Sequence, residues 1–174
     1  MDTFYLDTET TGLLSKFSFA DDEIVEIAIV DSQGCAVLNT LVKPTIKTSW
    51  RDAQRIHGIS PADVAGAPTL EELLPEVRKI VEGNRVVIYN SGFDVQFFHD
   101  GFFAKSQVEC AMLAYAEYVG EWNPHYNNYR WHKLSVAAAA TGFRDDVTFH
   151  RALGDALAAR HVWLHVQREM AVVA

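Results

Sequence analysis

Cysteine is scarce in this chain: Cys35 and Cys110 are the only two in 174 residues. They show no CxxC spacing and no histidine pair at zinc-finger distance, so neither a disulfide framework nor a structural zinc site is indicated. A reduced, part-buried pair is expected, as in a cytoplasmic protein. Long hydrophobic runs are missing too. The longest stretch of small apolar residues, Val136 to Ala140, is far too short to cross a bilayer, so no membrane partner is expected. Met1-Asp2-Thr3 lacks the basic region of a secretion signal and runs straight into a strand pattern, which again points to the cytoplasm. Basic residues are outnumbered, 15 Lys and Arg against 23 Asp and Glu, for a formal charge of −8. That balance speaks against a protein that grips nucleic acid by bulk electrostatics. It leaves room for an enzyme whose acidic site is neutralised by bound cations.

What is present is ordinary for a globular chain, with 49% apolar and 22% charged residues. Residues 1–174 read as one domain, without repeats or linker-like runs and long enough for a substantial core. Phe4–Thr8 reads as a buried strand ending in the turn-forming Thr11-Gly12. Glu23–Asp31 and Cys35–Val42 are further strands, and the short connections predict an antiparallel meander. Trp50–His57 reads as a short helix closed by Gly58. Thr69-Leu70-Glu71-Glu72 is a capping box opening a helix whose stripe is Leu70, Leu73, Leu74, Val77, Ile80 and Val81. Arg85–Tyr89 is a compact apolar strand, expected to be central. Helices are expected over Phe93–Phe103, Met112–Tyr118, Leu134–Thr141 and Ala152–Met170. This order predicts an α/β architecture, a mixed sheet covered by helices.

Three clusters carry chemistry. Asp7 and Glu9 stand two apart on the first strand and so project to one face. Two carboxylates that close repel unless a cation or a shared proton compensates them, and hard divalent cations with oxygen ligands do so. Taken alone, the pair is also read as the polar end of a strand. Asp94, in Tyr89-Asn90-Ser91-Gly92-Phe93-Asp94, follows a later strand, at the carboxyl edge where open α/β sheets place ligands. It is equally natural as an acid favoured by a helix N-terminus. The third cluster is His150-Arg151-Ala152-Leu153-Gly154-Asp155. Five residues on a helix turn through about 500°, so two helical positions at this spacing face apart. His150 and Asp155 converge only if His150 lies in the loop before the helix. A histidine there suits a general base, and a surface histidine is the plainer alternative.

Taken in order, these clusters resemble the DEDD exonucleases in their histidine-containing branch. That branch includes the proofreading epsilon subunit of bacterial DNA polymerase III, exonuclease X and ribonuclease T. LDTETTGL (Leu6–Leu13) is near the family's first motif. YNSGFD keeps Asn90, Phe93 and Asp94 but has Tyr89 where many relatives have histidine. HRALGDA matches the third motif, Ile56-His57-Gly58-Ile59-Ser60 is like the family's H-G-I-[TS] segment, and Trp131-His132-Lys133-Leu134-Ser135 leads to Thr141-Gly142. The resemblance spans Thr3 to Val166.

It implies a ribonuclease-H-like fold with a mixed five-stranded sheet, and a metal-dependent 3′→5′ exonuclease. The cofactors implied are two divalent ions, Mg2+ or Mn2+. Asp7 would bridge both, Glu9 and Asp155 would complete one site, and Asp94 would serve the other. The ions would lie about 4 Å apart, and His150 would take the proton from the attacking water. Thr10, Thr11 and Gly12 would bind the terminal 3′-hydroxyl, with Leu13 wedged against the last base and His57, Asn90 and Phe93 beside the substrate. The partner implied is nucleic acid with a free 3′ end, single-stranded DNA first and RNA as the alternative. The alternative reading is a proofreading or trimming subunit of a larger complex, or a homo-oligomer. The close of the chain at Ala174, soon after the last helix, favours an independent enzyme.

Trp122–Lys133 (WNPHYNNYRWHK) reads as a loop and helix start. It is either a surface loop with aromatics docked on the core or a substrate clamp that stacks bases and uses Arg130 and Lys133 on phosphate. His161 and His165 share a helix face at i,i+4 but lack the glutamate of an HExxH site.

Overall fold

The computed structural model describes residues 1–13, 21–144 and 147–173. A five-stranded mixed sheet forms the frame, in the order β3-β2-β1-β4-β5. Its strands are β1 (Thr3–Thr10), β2 (Ile24–Val30), β3 (Ala36–Leu41), β4 (Arg85–Ile88) and β5 (Gln107–Cys110). The first three form the antiparallel meander expected from their short connections. The β2–β3 turn is held by Asp31, whose carboxylate accepts from the N–H groups of Gln33 and Cys35 at 2.8 and 2.9 Å. β4 lies parallel to β1, with Tyr5 opposite Val87, and β5 extends the sheet parallel to β4. β4 is thus interior, as its apolar run requires, but the central strand is β1.

Alternation along β1 divides the core into two layers. Leu6, with Val86 and Ile88 of β4, faces α2 (Leu70–Val81), where Leu73, Leu74, Val77 and Val81 form the buried stripe. Full burial of a side chain such as Val77 contributes roughly 1.5–3 kcal/mol. The capping box at the start of α2 is present: the Thr69 N–H donates to Glu72 Oε2 at 2.8 Å, and the Glu72 N–H approaches Thr69 Oγ1 at 3.4 Å. Tyr5 and Val87 face the opposite side, against Ala156, Ala159, Val162 and Val166 of the long α6 (Ala152–Val173). Alanines on α6 let its backbone lie close to the sheet. α4 (Ala111–Val119) and α5 (Leu134–Ala140) pack on the same side, while α1 (Arg51–His57) is closed by Gly58 in a left-handed conformation.

Three expectations are corrected. Phe93–Phe103 is not one helix. A single turn, α3 (Ser91–Asp94), passes into a 3₁₀ turn over Val95–Phe97, and the chain then becomes extended at Phe98. Gly101 takes a φ of 76°, and successive turns bring Phe98 and Phe102 into stacked contact in the core. Their spacing imitates a helical stripe without a helix. Second, Trp122–Lys133 is not a loop and helix start but holds a small hairpin, β6 (Trp122–Asn123) paired with β7 (Asn128–Tyr129). Third, the cysteines are both free, but Cys35 is exposed rather than part-buried.

Candidate metal centre

β1 carries Asp7 and Glu9 on the α6 side, so the start of α6 decides what meets them. The loop before that helix folds back sharply. His150 takes a left-handed φ of 62°, and Gly154 lies so close to Thr148 that a Cβ there would overlap the Thr148 carbonyl oxygen. This hairpin-like entry puts Asp155 in the first turn of α6, over the end of β1. One oxygen from each of Asp7, Glu9 and Asp155 lies within 4.8 Å of the others. His150 is outside the helix, as convergence requires, and its backbone N–H points at the Asp155 carboxylate at 3.3–3.4 Å. Its side chain is exposed.

Asp94 arrives from the sheet's far side. It is buried in α3, and its Oδ1 accepts from Thr8 Oγ1 at 2.7 Å. It stands outside the three-oxygen group, yet its charge reaches Asp7. Burial, then the charges of Asp94, Asp155 and Glu9, pushes the Asp7 carboxyl well above its usual range. Glu9 is raised to about 8, mainly by burial and then by Asp155. Burial also lifts Asp94 and Asp155, each to about 6, against the opposing hydrogen bonds from Thr8 and from the His150 amide respectively. Four acids that resist ionisation together are a site in want of positive charge. The all-oxygen donor set and the closeness of three ligands fit a hard divalent cation.

The remaining sequence candidates form a rim. Thr10 donates to the Gly12 carbonyl at 2.7 Å, and Thr11 holds both its N–H and its Oγ1 against Glu23, at 2.8 and 2.9 Å. The Thr11 amide is therefore taken by the fold, and a contact to substrate from this turn must use its other groups. Leu13 is 80% exposed, directly beyond the turn. His57 is buried, and both ring nitrogens are engaged: Nδ1 accepts from the Ile59 N–H at 3.0 Å, which leaves Nε2–H to donate to the Thr10 carbonyl at 3.2 Å. It braces the turn from behind. Asn90 is exposed at the start of α3, and Phe93 is half-buried, edge-on to Phe97. His161 and His165 lie apart from the centre, against the Thr141 carbonyl and the Tyr118 hydroxyl.

Sequence reasoning missed Thr8, Glu26 and Arg151. Glu26 is a lone acid in the wholly buried strand IVEIAIV and pairs directly across from Glu9. A buried charge needs a partner, and that signal was readable in the sequence. Its partners are the Arg151 guanidinium and the Ala152 N–H at the start of α6.

Comparison with known proteins gives the family and the fold. The RNase_T family model, described as exonuclease, matches residues 4–162. An uncharacterised exonuclease of Escherichia phage 186, CP81, is 41% identical over 166 residues, covering 88% of this chain and 82% of that protein. A DNA polymerase III subunit epsilon-like protein of Rhodobacter capsulatus is 32% identical over 170 residues, covering 92% of this chain but 23% of its own length. The structure of exonuclease X in complex with 5′ overhanging duplex DNA shares the fold, with a TM-score of 0.76 at 22% identity, covering 97% of this chain and 93% of that one. All four acids and His150 fall within the matched span, and the chain belongs to the RNase_T exonuclease family of nucleic-acid hydrolases.

Proposed function

We propose that residues 1–174 form a single exonuclease domain that removes nucleotides from the 3′ end of single-stranded nucleic acid, DNA foremost, releasing nucleoside 5′-monophosphates. The observation that carries the reading is the meeting of Asp7, Glu9 and Asp155 from opposite ends of the chain, with Asp94 close enough to disturb their ionisation. Asp7, Glu9 and Asp155 would hold one divalent ion, and Asp7 with Asp94 a second, Mg2+ or Mn2+. Such ions, bound there, would neutralise the acids and supply polarisation of the scissile phosphate.

The chain's own residues supply the rest. His150, exposed on the loop beside Asp155, takes a proton from water at a ring nitrogen as that water attacks phosphorus. The bond from phosphorus to the bridging 3′ oxygen breaks. That oxygen keeps the electron pair and takes up a proton from solvent as the new 3′-hydroxyl of the shortened strand, and the released nucleotide keeps its phosphate on the 5′ carbon. Asp94 is held in place by Thr8. Thr10, Thr11 and Gly12 line the 3′ terminus, His57 keeps that turn in position, and Leu13, Asn90 and Phe93 touch the last nucleotide. Leu13's exposure supports a wedge against the terminal base. The DNA in the exonuclease X structure supports DNA as first substrate. The Rhodobacter relative, far longer than this chain, favours a second reading in which the domain serves a larger polymerase complex. A nucleic-acid substrate and two free thiols support a cytoplasmic setting.

The test is digestion of 5′-labelled DNA and RNA single strands with Mg2+ or Mn2+. Products shortening stepwise from the 3′ end are expected, abolished by chelation and by Asp7→Ala. Cleavage that survives chelation contradicts the proposal.

A further inference from the structure

The hairpin β6–β7 and the residues after it are not used by the four-acid centre. Trp122 and Tyr129 face each other across the hairpin, edge-on at 5.4 Å, and hold it together. Tyr126, edge-on to its neighbour His125 at 4.5 Å, and Trp131 do not bridge the two strands and are 69% and 56% exposed. With Asn123, Asn128 and Arg130 they line an open cleft of about 440 Å³, within the range of ~300–1,000 Å³ that small organic groups occupy. Trp122–Lys133 contains Arg130 and Lys133 and no acid, although the chain carries −8 overall. Arg130 reaches Glu121 only at 3.8 Å, with both side chains well exposed, so its guanidinium is loosely held.

The cleft is also tied to the acidic centre. The Tyr89 hydroxyl donates to the His132 carbonyl at 3.0 Å, fixing the residue after Trp131 to the carboxyl end of β4. Asn90, α3 and Asp94 follow directly from Tyr89. Aromatic rings, side-chain amides and a loosely paired guanidinium, on a segment tied to the strand that leads to Asp94, are the chemistry that receives an unpaired strand: bases stack on rings, and phosphate meets arginine.

We infer that the Tyr126–Trp131 cleft is a second nucleic-acid subsite, stacking unpaired bases several nucleotides from the end being cut, with Arg130 on the intervening phosphate. This rests on the proposed function and adds where the rest of the strand lies. Such a subsite makes affinity depend on strand length while leaving chemistry on the terminal nucleotide untouched.

The test compares the wild type with Tyr126→Ala/Trp131→Ala, which spares the Trp122–Tyr129 pair; circular dichroism and melting confirm folding. Anisotropy measures binding of fluorescein-labelled dT16 and dT2 with Ca2+ in place of Mg2+. Hydrolysis of the p-nitrophenyl ester of thymidine 5′-monophosphate with Mg2+ reads the centre alone. The subsite predicts a loss of dT16 affinity of about tenfold or more in the variant, with dT2 binding and ester hydrolysis unchanged. Equal dT16 affinity in variant and wild type overturns it, as does absence of wild-type binding, or light scattering that shows Tyr126 and Trp131 instead joining two copies of the chain. A wild type that binds dT16 but hydrolyses neither ester nor oligonucleotide counts against the exonuclease reading and leaves the subsite standing.

Discussion

Glu26 and Arg151, 125 residues apart, form a latch between β2 and the start of α6, buried at its glutamate end. Both carboxylate oxygens are engaged: Arg151 Nε donates to Oε2 at 3.0 Å, Nη2 to Oε1 at 2.5 Å, and the Ala152 N–H to Oε2 at 2.9 Å. The latch sits between His150 and the turn carrying Asp155, directly opposite Glu9 across the strands. It therefore ties the start of α6, which carries Asp155, to the strand beside the first two acids.

Arg151→Met removes the guanidinium and leaves the buried Glu26 carboxyl with one backbone amide as its partner. Loss of one partner from a fully buried pair costs about 3–5 kcal/mol. Because Arg151 is itself 44% exposed, a smaller cost of about 1–3 kcal/mol is expected here. Thermal melts should fall by roughly 2–10 °C. Activity should fall further than stability explains, because Asp155 and His150 lose their footing. A variant with wild-type turnover would show that the latch plays no part in positioning the site.

The acids themselves give the metal-free protein an unusual pH response. Asp94 and Asp155 titrate near 6, Glu9 near 8 and Asp7 well above its usual range in the folded chain. In the unfolded chain all four lose protons near 4. Between these limits the native state binds more protons, so stability falls as pH rises. With chelator present, the melting temperature should be higher at pH 5.5 than at pH 8. Asp7→Asn should flatten that slope while abolishing activity. A chelated wild type that gains stability from pH 5.5 to 8 would refute this electrostatic picture.

Added Mg2+ or Mn2+ should reverse the slope. Cations bind the deprotonated acids, so the rise in melting temperature on adding metal should be larger at pH 8 than at pH 5.5. A pH-independent rise would place the ion elsewhere.

Gly154→Ala probes the fold of the α6 entry. The added methyl meets the Thr148 carbonyl oxygen, so the loop must move. Overpacking of this kind costs about 1–3 kcal/mol, and displacement of His150 should lower turnover by at least about tenfold. His150→Asn tests the base separately. Asparagine tolerates the left-handed backbone at this position, so stability should hold while kcat falls about 10²–10⁴-fold.

The antiparallel meander of β1–β3 and the shared face of Asp7 and Glu9 were legible because short turns force a meander and a two-residue spacing forces one face. The capping box at Thr69 marked α2 for the same local reason. What stayed hidden depended on distant contacts. β5 has four residues, two of them polar, and becomes a strand only because β4 offers an unpaired edge. The phenylalanines after Asp94 carry helical spacing in a run of turns. The Thr8–Asp94 hydrogen bond joins residues 86 apart, and no local pattern announces it. Glu26 was the exception: its burial in an apolar strand demanded a partner, though nothing local named Arg151.

Manganese binding, followed by electron paramagnetic resonance on the wild type, Asp7→Asn and Asp155→Asn, tests most directly whether the two ends of the chain build one centre. Tight binding in the wild type and its loss in either variant is the predicted result. Manganese retained at full affinity when Asp155 is replaced would contradict a shared site.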